Sequence, residues 1–226
     1  MKKIMKATLA KGIAAASLFA VAPVSLLAQS ELYPGHFDLE EVRLLDSPFL
    51  EAMKLNDSAL FEYDADRLLT AAVVQAGLND DPDSKYYRWK ESHPVYPIWY
   101  YESSVPHYVS SLALAYAASS DETMKVRLKE RLEYMLGILK DCQDVTDGNT
   151  EGLRGYVGTE PLADMWKELY KGNTAPFIQN GGWCPFYYVH KMLAGLRDAW
   201  MYADNEAARG MYRKLAGMTG TAMTEA

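Results

Sequence analysis

Apolar residues recur along this chain at the three- and four-residue spacing of helices, and the clearest case begins at His107. The run Tyr108 to Ala118 is apolar and alanine-rich, which predicts a buried inner helix. Beyond it, Leu128, Leu132, Met135, Leu136 and Leu139 return at helical spacing. Lys125, Arg127, Lys129, Glu130, Arg131 and Glu133 fill the opposite side, as a solvated helix face does. Ser119 and Glu122 have the spacing of a capping box between the two helices. An apolar helix backed by an amphipathic one is an αα-hairpin, and the chain repeats it. A second aromatic, proline-containing segment leads into a helix over His190 to Tyr202, with Leu193, Leu196 and Trp200, followed by Asn205 to Leu215. The two histidines stand 83 positions apart (107 to 190), and at that offset Asp121 falls on Asp204, Leu128 on Met211 and Leu132 on Leu215. A fixed offset of this kind marks a repeated helical unit.

The flanking segments fit the same class. Pro48 opens a helix over Phe49 to Leu60, as proline does at a first helical position. A second run, Asp64 to Gly77, carries Leu68, Leu69, Val73 and Val74 and ends at a glycine; Asp66 and Arg67 read as a helix-start acid and an interhelical ion pair. Asn79 to Ser92 and Asp147 to Gly158 read as loops, and Met165 to Tyr170 as a short helical turn. Phe37 to Leu45 interleaves apolar and acidic residues and reads either as a strand or as an extended lead-in. The fold class is all-α, built from αα-hairpins, with a short N-terminal extended segment. Met218 to Ala226 shows neither a C-terminal cap nor a closing apolar helix, so the array is expected to continue in a longer protein.

Composition narrows the setting. The 226 residues carry a formal charge of −7 without a basic block, which argues against a nucleic-acid partner. Lys2, Lys3, Lys6 and Lys11 precede an uncharged run, Gly12 to Ser30, with small residues near Ala28. That is the pattern of a secretory signal peptide over residues 1–30, followed by a mature segment over 31–226; the alternative is a membrane anchor, which Pro23 and the many alanines weaken. Its removal takes the charge from −7 to −11 and leaves no stable membrane insertion. The expected location is periplasmic or secreted. Cys142 and Cys184 can pair in an oxidising compartment, but two cysteines set no disulfide framework and no metal-ligand spacing.

Several blocks resemble the family-127 glycoside hydrolases, the β-L-arabinofuranosidases. They are Asp64 to Leu69 with Ala76-Gly77-Leu78, His107 to Ala113, Trp183 to Lys191, and Ala194-Gly195-Leu196, in the family's order. The resemblance covers the mature chain but only the N-terminal portion of the family's catalytic domain. It implies part of an (α/α)6 barrel in an exported glycoside hydrolase. The activity it implies is retaining hydrolysis of arabinofuranosyl linkages in plant glycans, with an arabinose-containing oligo- or polysaccharide as partner. It also implies, for the complete enzyme, a glutamate acid/base and a cysteine nucleophile held in a Cys/Glu zinc site. Those motifs do not occur in this segment, and neither Cys142 nor Cys184 matches them, so no catalytic residue and no cofactor is assigned to it.

The candidate substrate-binding residues are His107, His190, Trp99, Trp183 and Tyr187. Imidazoles at the start of two registered helices suit sugar hydroxyls, since a neutral ring both donates and accepts. The aromatic residues offer faces for a sugar ring, or serve as core wedges between helices. The segment departs from the family pattern at the rim. Tyr100 follows Trp99 where the family has a glutamate, Ser103 stands at the spacing of the family's first histidine, and Pro106 precedes His107 in place of glycine. Cys184 and Phe186 replace the more usual valine and tryptophan. Two alternatives therefore stay open: a non-catalytic or degenerate glycan-binding member, and a truncated product without activity. A polysaccharide lyase on similar architecture would need a basic, uronate-binding groove, for which the acidic composition offers little support.

Overall fold

The computed structural model describes residues 37–94, 104–149, 152–178 and 185–225, and among them it contains helices and no strand. Residues 37–41, the described end of a first unit that runs to Glu41, contain a 3₁₀ turn over Leu39–Glu41 closed by the Glu41 amide on the Asp38 carbonyl at 2.9 Å. The strand reading of the lead-in is thereby corrected: the turn saturates its hydrogen bonds locally, and 42–45 are irregular.

The main unit begins with α1 (Pro48–Ala59), whose N-cap Ser47 accepts from the Leu50 amide at 3.3 Å. A 3₁₀ turn, Leu60–Glu62, leads to α2 (Ala65–Gln75), capped by Asp64 accepting from the Arg67 amide at 3.1 Å. Gly77 closes α2 at φ +71, with the Gly77 amide on Val74 and the Leu78 amide on Val73, a Schellman ending that needs a left-handed residue. Asp66 lies in the first turn of α2, as the sequence predicts for a helix-start acid. It accepts from the Tyr134 hydroxyl at 2.5 Å and pairs with His93 at 3.4 Å, while Arg67 Nε donates to the Pro94 carbonyl. Within the expected loop 79–92, α3 (Trp89–Ser92) forms one short turn.

The two hairpins follow. The first joins α4 (Ser104–Ala118) to α5 (Glu122–Asn149), and the second joins α8 (Pro185–Ala203) to α9 (Glu206–Glu225). Between them lie α6 (Glu160–Tyr170) and the short α7 (Ala175–Ile178). The apolar stripe over Leu128, Leu132, Met135, Leu136 and Leu139 is buried, as are its counterparts Met211 and Leu215. The capping box does not form. Asp121 caps α5, its carboxylate accepting from the Thr123 and Met124 amides at 2.9 and 3.1 Å, and the Ser119 amide still bonds back into α4. In the second hairpin the equivalent cap is Asn205, accepting from the Ala208 amide at 2.8 Å, while Asp204 turns the chain at φ +51. The repeat offset thus slips by one residue at the cap and holds in the core.

Three further expectations change. The predicted loop over 147–158 gives way to helix as far as Asn149, and its remainder is largely buried rather than exposed. Gln143 Nε2 donates to the Gly155 and Met211 carbonyls at 2.7 and 3.1 Å, and the Thr146 hydroxyl donates to the Tyr156 carbonyl at 2.6 Å. Those bonds satisfy backbone that would otherwise be stranded in the core. Helix α9 also continues through the segment read as uncapped, burying Met218 and Ala222. The basic face of α5 is only partly solvated: Arg127 lies 4.3 Å over the Phe61 ring, and Lys125 and Lys129 cover Tyr116.

The inner helices α4 and α8 pack extensively on each other. Pro106 meets Gly195, and the Ser110 hydroxyl donates to the Asp198 carboxylate, so contacts advance together along both helices and the two run parallel. Gly195 permits the close crossing: a Cβ there would sit 2.6 Å from the Pro106 carbonyl oxygen. Parallel inner helices, each returning through an outer helix, are the arrangement of an αα-hairpin array. No helix among the described residues is long and apolar enough to cross a membrane. The leader over 1–30 lies outside the described residues.

Candidate functional site

Pro106 and His107 lie in the first turn of α4, where proline removes no helical hydrogen bond. Tyr187 lies in the first turn of α8, two residues after Pro185 starts that helix and three before His190, which the 83-residue offset pairs with His107. The close crossing sets Pro106 beside Gly195, midway along α8, and the His107 and Tyr187 side chains span the remaining distance to the start of α8. His107 Nε2 and the Tyr187 hydroxyl share a hydrogen bond at 3.2 Å, with ring centroids 6.3 Å apart and planes inclined by 51°. One turn on, Lys191 Nζ stands 5.3 Å from the Tyr187 ring centroid. Packing around the imidazole, and secondarily the Lys191 charge, hold the His107 pKa below its usual 6.5. The ring is therefore neutral at neutral pH, with one nitrogen donating and the other accepting.

His107 also borders a cavity of about 220 Å³, whose other walls include Leu60, Tyr63, Leu68, Ser104 and Ser111. Tyr63 and Tyr108 stack in a tilted pair, centroids 5.6 Å apart. Tyr108 is buried and committed to structure: its hydroxyl donates to the Leu60 carbonyl at 2.6 Å and accepts from Arg131 at 3.4 Å. Serine hydroxyls and a neutral imidazole, set among Leu60, Leu68 and aromatic edges, form an uncharged lining of mixed polarity, which suits a ligand that presents both hydroxyl and C–H faces.

Of the sequence-derived candidates, the structure brings His107 and Tyr187 together. His190 lies on an exposed stripe of α8 with Phe186 and Arg197, and makes no hydrogen bond or ring contact among the described residues. Trp99 and Trp183 lie outside the described residues, as do Tyr100, Glu102, Ser103 and Cys184. Phe186, at the family's tryptophan position, packs edge-on against the buried Trp166 at 5.2 Å. Two neighbours of the site, Tyr63 and Lys191, are not among the sequence-derived candidates. The Tyr187–Lys191 spacing is a helical i,i+4 pair, a signal the sequence holds. Tyr63 gives no such signal, because only the fold carries it to His107.

The described residues do not suit a zinc site of the Cys/Glu kind. They include no group of three or more His, Cys, Asp or Glu side chains placed to hold a metal. Cys142 is a free, buried thiol, its pKa pushed up to about 12 by burial and then by the neighbouring Asp141 charge. A thiol so protonated is a poor nucleophile at neutral pH.

Comparison with known proteins adds one finding. The sequence model of the family described as Beta-L-arabinofuranosidase, GH127 catalytic domain, matches residues 41–226. No curated protein matches the chain.

Proposed function

Because the chain belongs to the family of β-L-arabinofuranosidase GH127 catalytic domains, we propose that His107 and Tyr187 form part of a rim that receives an L-arabinofuranosyl group. The protein in this reading is exported by way of residues 1–30 and acts on arabinose-containing plant glycans. The supporting observation is the His107–Tyr187 hydrogen bond, which joins the two copies of the repeated unit at the start of two parallel inner helices. A neutral imidazole bonded to a phenol matches sugar hydroxyls, each of which donates and accepts. His190, Trp99 and Trp183 belong to the same proposal as further sugar contacts. Retaining hydrolysis, and zinc in the complete enzyme, follow from the family and not from any group among the described residues. This reading assigns recognition, and no bond-breaking step, to residues 41–226.

Calorimetric titration of the chain with methyl β-L-arabinofuranoside tests it. His107→Ala is expected to weaken binding up to about tenfold, the upper end for the loss of one hydrogen bond. Equal binding by wild type and variant removes the rim from His107. A second reading, glycan binding without turnover, is favoured by the rim sequence, in which Ser103 stands at the spacing of the family's first histidine and Tyr100 at that of its glutamate. It predicts that the complete protein binds the furanoside and releases no arabinose.

A further inference from the structure

A second, larger cleft lies in the outer layer, where the C-terminal halves of α5 and α9 meet the loop after Gly152 and the end of α6. Its volume is about 780 Å³, within the range of small-molecule sites, about 300–1,000 Å³. It shares no lining residue with the His107 cavity. Two glycines fix its wall. Gly155, at φ +89, approaches α9 so closely that a Cβ would stand 2.6 Å from the Lys214 carbonyl oxygen. Gly152, at φ +79, lies against the Tyr170 ring, where a Cβ would fall 3.1 Å from the ring carbons. The loop is thus wedged between α9 and Tyr170 and holds that ring at the edge of the cleft.

The charges lining the cleft do not balance. Lys214 Nζ is matched by Asp144 at 3.0 Å and Asp147 at 3.1 Å. Arg154 and Arg213 line the same space, are exposed, and have no hydrogen-bond or ion-pair partner among the described residues. In a protein of net charge −7, two unmatched guanidinium groups beside one aromatic ring form a local exception to the acidic surface.

We propose that this cleft binds a carboxylate-bearing oligosaccharide, a uronate glycan, with Arg154 and Arg213 receiving its carboxylates and Tyr170 lying along a sugar face. The planar guanidinium matches a carboxylate through two parallel hydrogen bonds, a geometry that a lysine cannot offer. A tyrosine ring presents an apolar face to the C–H side of a sugar together with a hydroxyl for its rim. That the ligand is anionic follows from the arginines alone; that it is a saccharide rests on the proposed function. The site is separate from the arabinofuranoside rim and makes no bond-breaking contribution.

The test is titration of the full chain with a short oligogalacturonate, in parallel with methyl β-L-arabinofuranoside and inorganic phosphate. Binding of oligogalacturonate is expected to weaken at least about tenfold in Arg154→Ala and in Arg213→Ala, as for hydrogen bonds to charged groups, and to fall with added salt. His107→Ala is expected to bind it as wild type does, while losing the furanoside. Unchanged thermal midpoints in the arginine variants separate lost contacts from lost folding. No oligogalacturonate binding, or binding indifferent to both arginines, overturns the proposal. So does phosphate binding of equal strength through the same arginines, which would make the cleft a general anion site. Failure of the furanoside arm alone refutes the rim and leaves this cleft standing.

Discussion

The crossing of α4 and α8 rests on the missing side chain of Gly195, and Gly195→Ala tests it directly. The added Cβ would stand 2.6 Å from the Pro106 carbonyl oxygen, closer than real Cβ atoms come, and the obstacle is backbone inside a packed pair of helices. Overpacking of this sort costs about 1–3 kcal/mol. Alanine also returns about 1 kcal/mol of helix propensity relative to glycine, so the steric cost must be measured against a glycine that meets nothing. Gly210 in α9 is such a site, exposed and with no atom within 4 Å of the place an added methyl would take. Gly210→Ala is expected to match or exceed wild-type stability. The difference between the two variants then isolates the steric term, about 1–3 kcal/mol, or roughly 2–4 °C of thermal midpoint per kcal/mol for a chain of this size. Paired thermal and urea unfolding, followed by circular dichroism, reads it. Because His107 follows Pro106 directly, Gly195→Ala should also weaken furanoside binding, whereas Gly210→Ala should not. Equal stability of the two variants would refute the close crossing and, with it, the account of how His107 meets Tyr187.

Two further outcomes follow from the titrating groups. His107 has a folded-state pKa below 6.5, so the unfolded chain takes up its proton first and stability is lost as pH falls below 6.5. Furanoside binding should be flat above that pH and weaken below it, and His107→Gln should flatten the stability profile between about pH 5 and 8. Identical profiles for wild type and variant would show that the ring is not desolvated. For Cys142, buried and with its pKa pushed up to about 12, iodoacetamide at mildly alkaline pH should leave the native thiol unmodified and label it fully in denaturant. Peptide mass spectrometry distinguishes it from Cys184, and rapid native labelling would place it at the surface instead.

The αα-hairpins are legible in the sequence because their signals are local. The stripe from Leu128 to Leu139 repeats with the helical period, so its burial follows wherever the helix packs. The 83-residue offset carries the second hairpin with it. The capping box fails because the helix starts at Glu122, three residues after Ser119: the Ser119 hydroxyl accepts only from the Asp121 amide, and the Asp121 carboxylate takes the Thr123 and Met124 amides as the cap. The loop beyond Asp147 looks exposed from its glycines, yet Gln143 and Thr146 hold it in the core by donating to its backbone carbonyls.

Helices, their buried faces, the hairpin repeat and the family are therefore written in residue order alone, since each depends on neighbours within a few turns or on blocks in fixed succession. Contacts between blocks are not. Tyr63 at the His107 cavity, Gly195 beneath Pro106, and Arg154 facing the same cleft as Arg213 are set by how closely helices cross and where loops are wedged. Those distances are fixed by side-chain volume across an interface, a quantity that residue spacing along one chain does not contain.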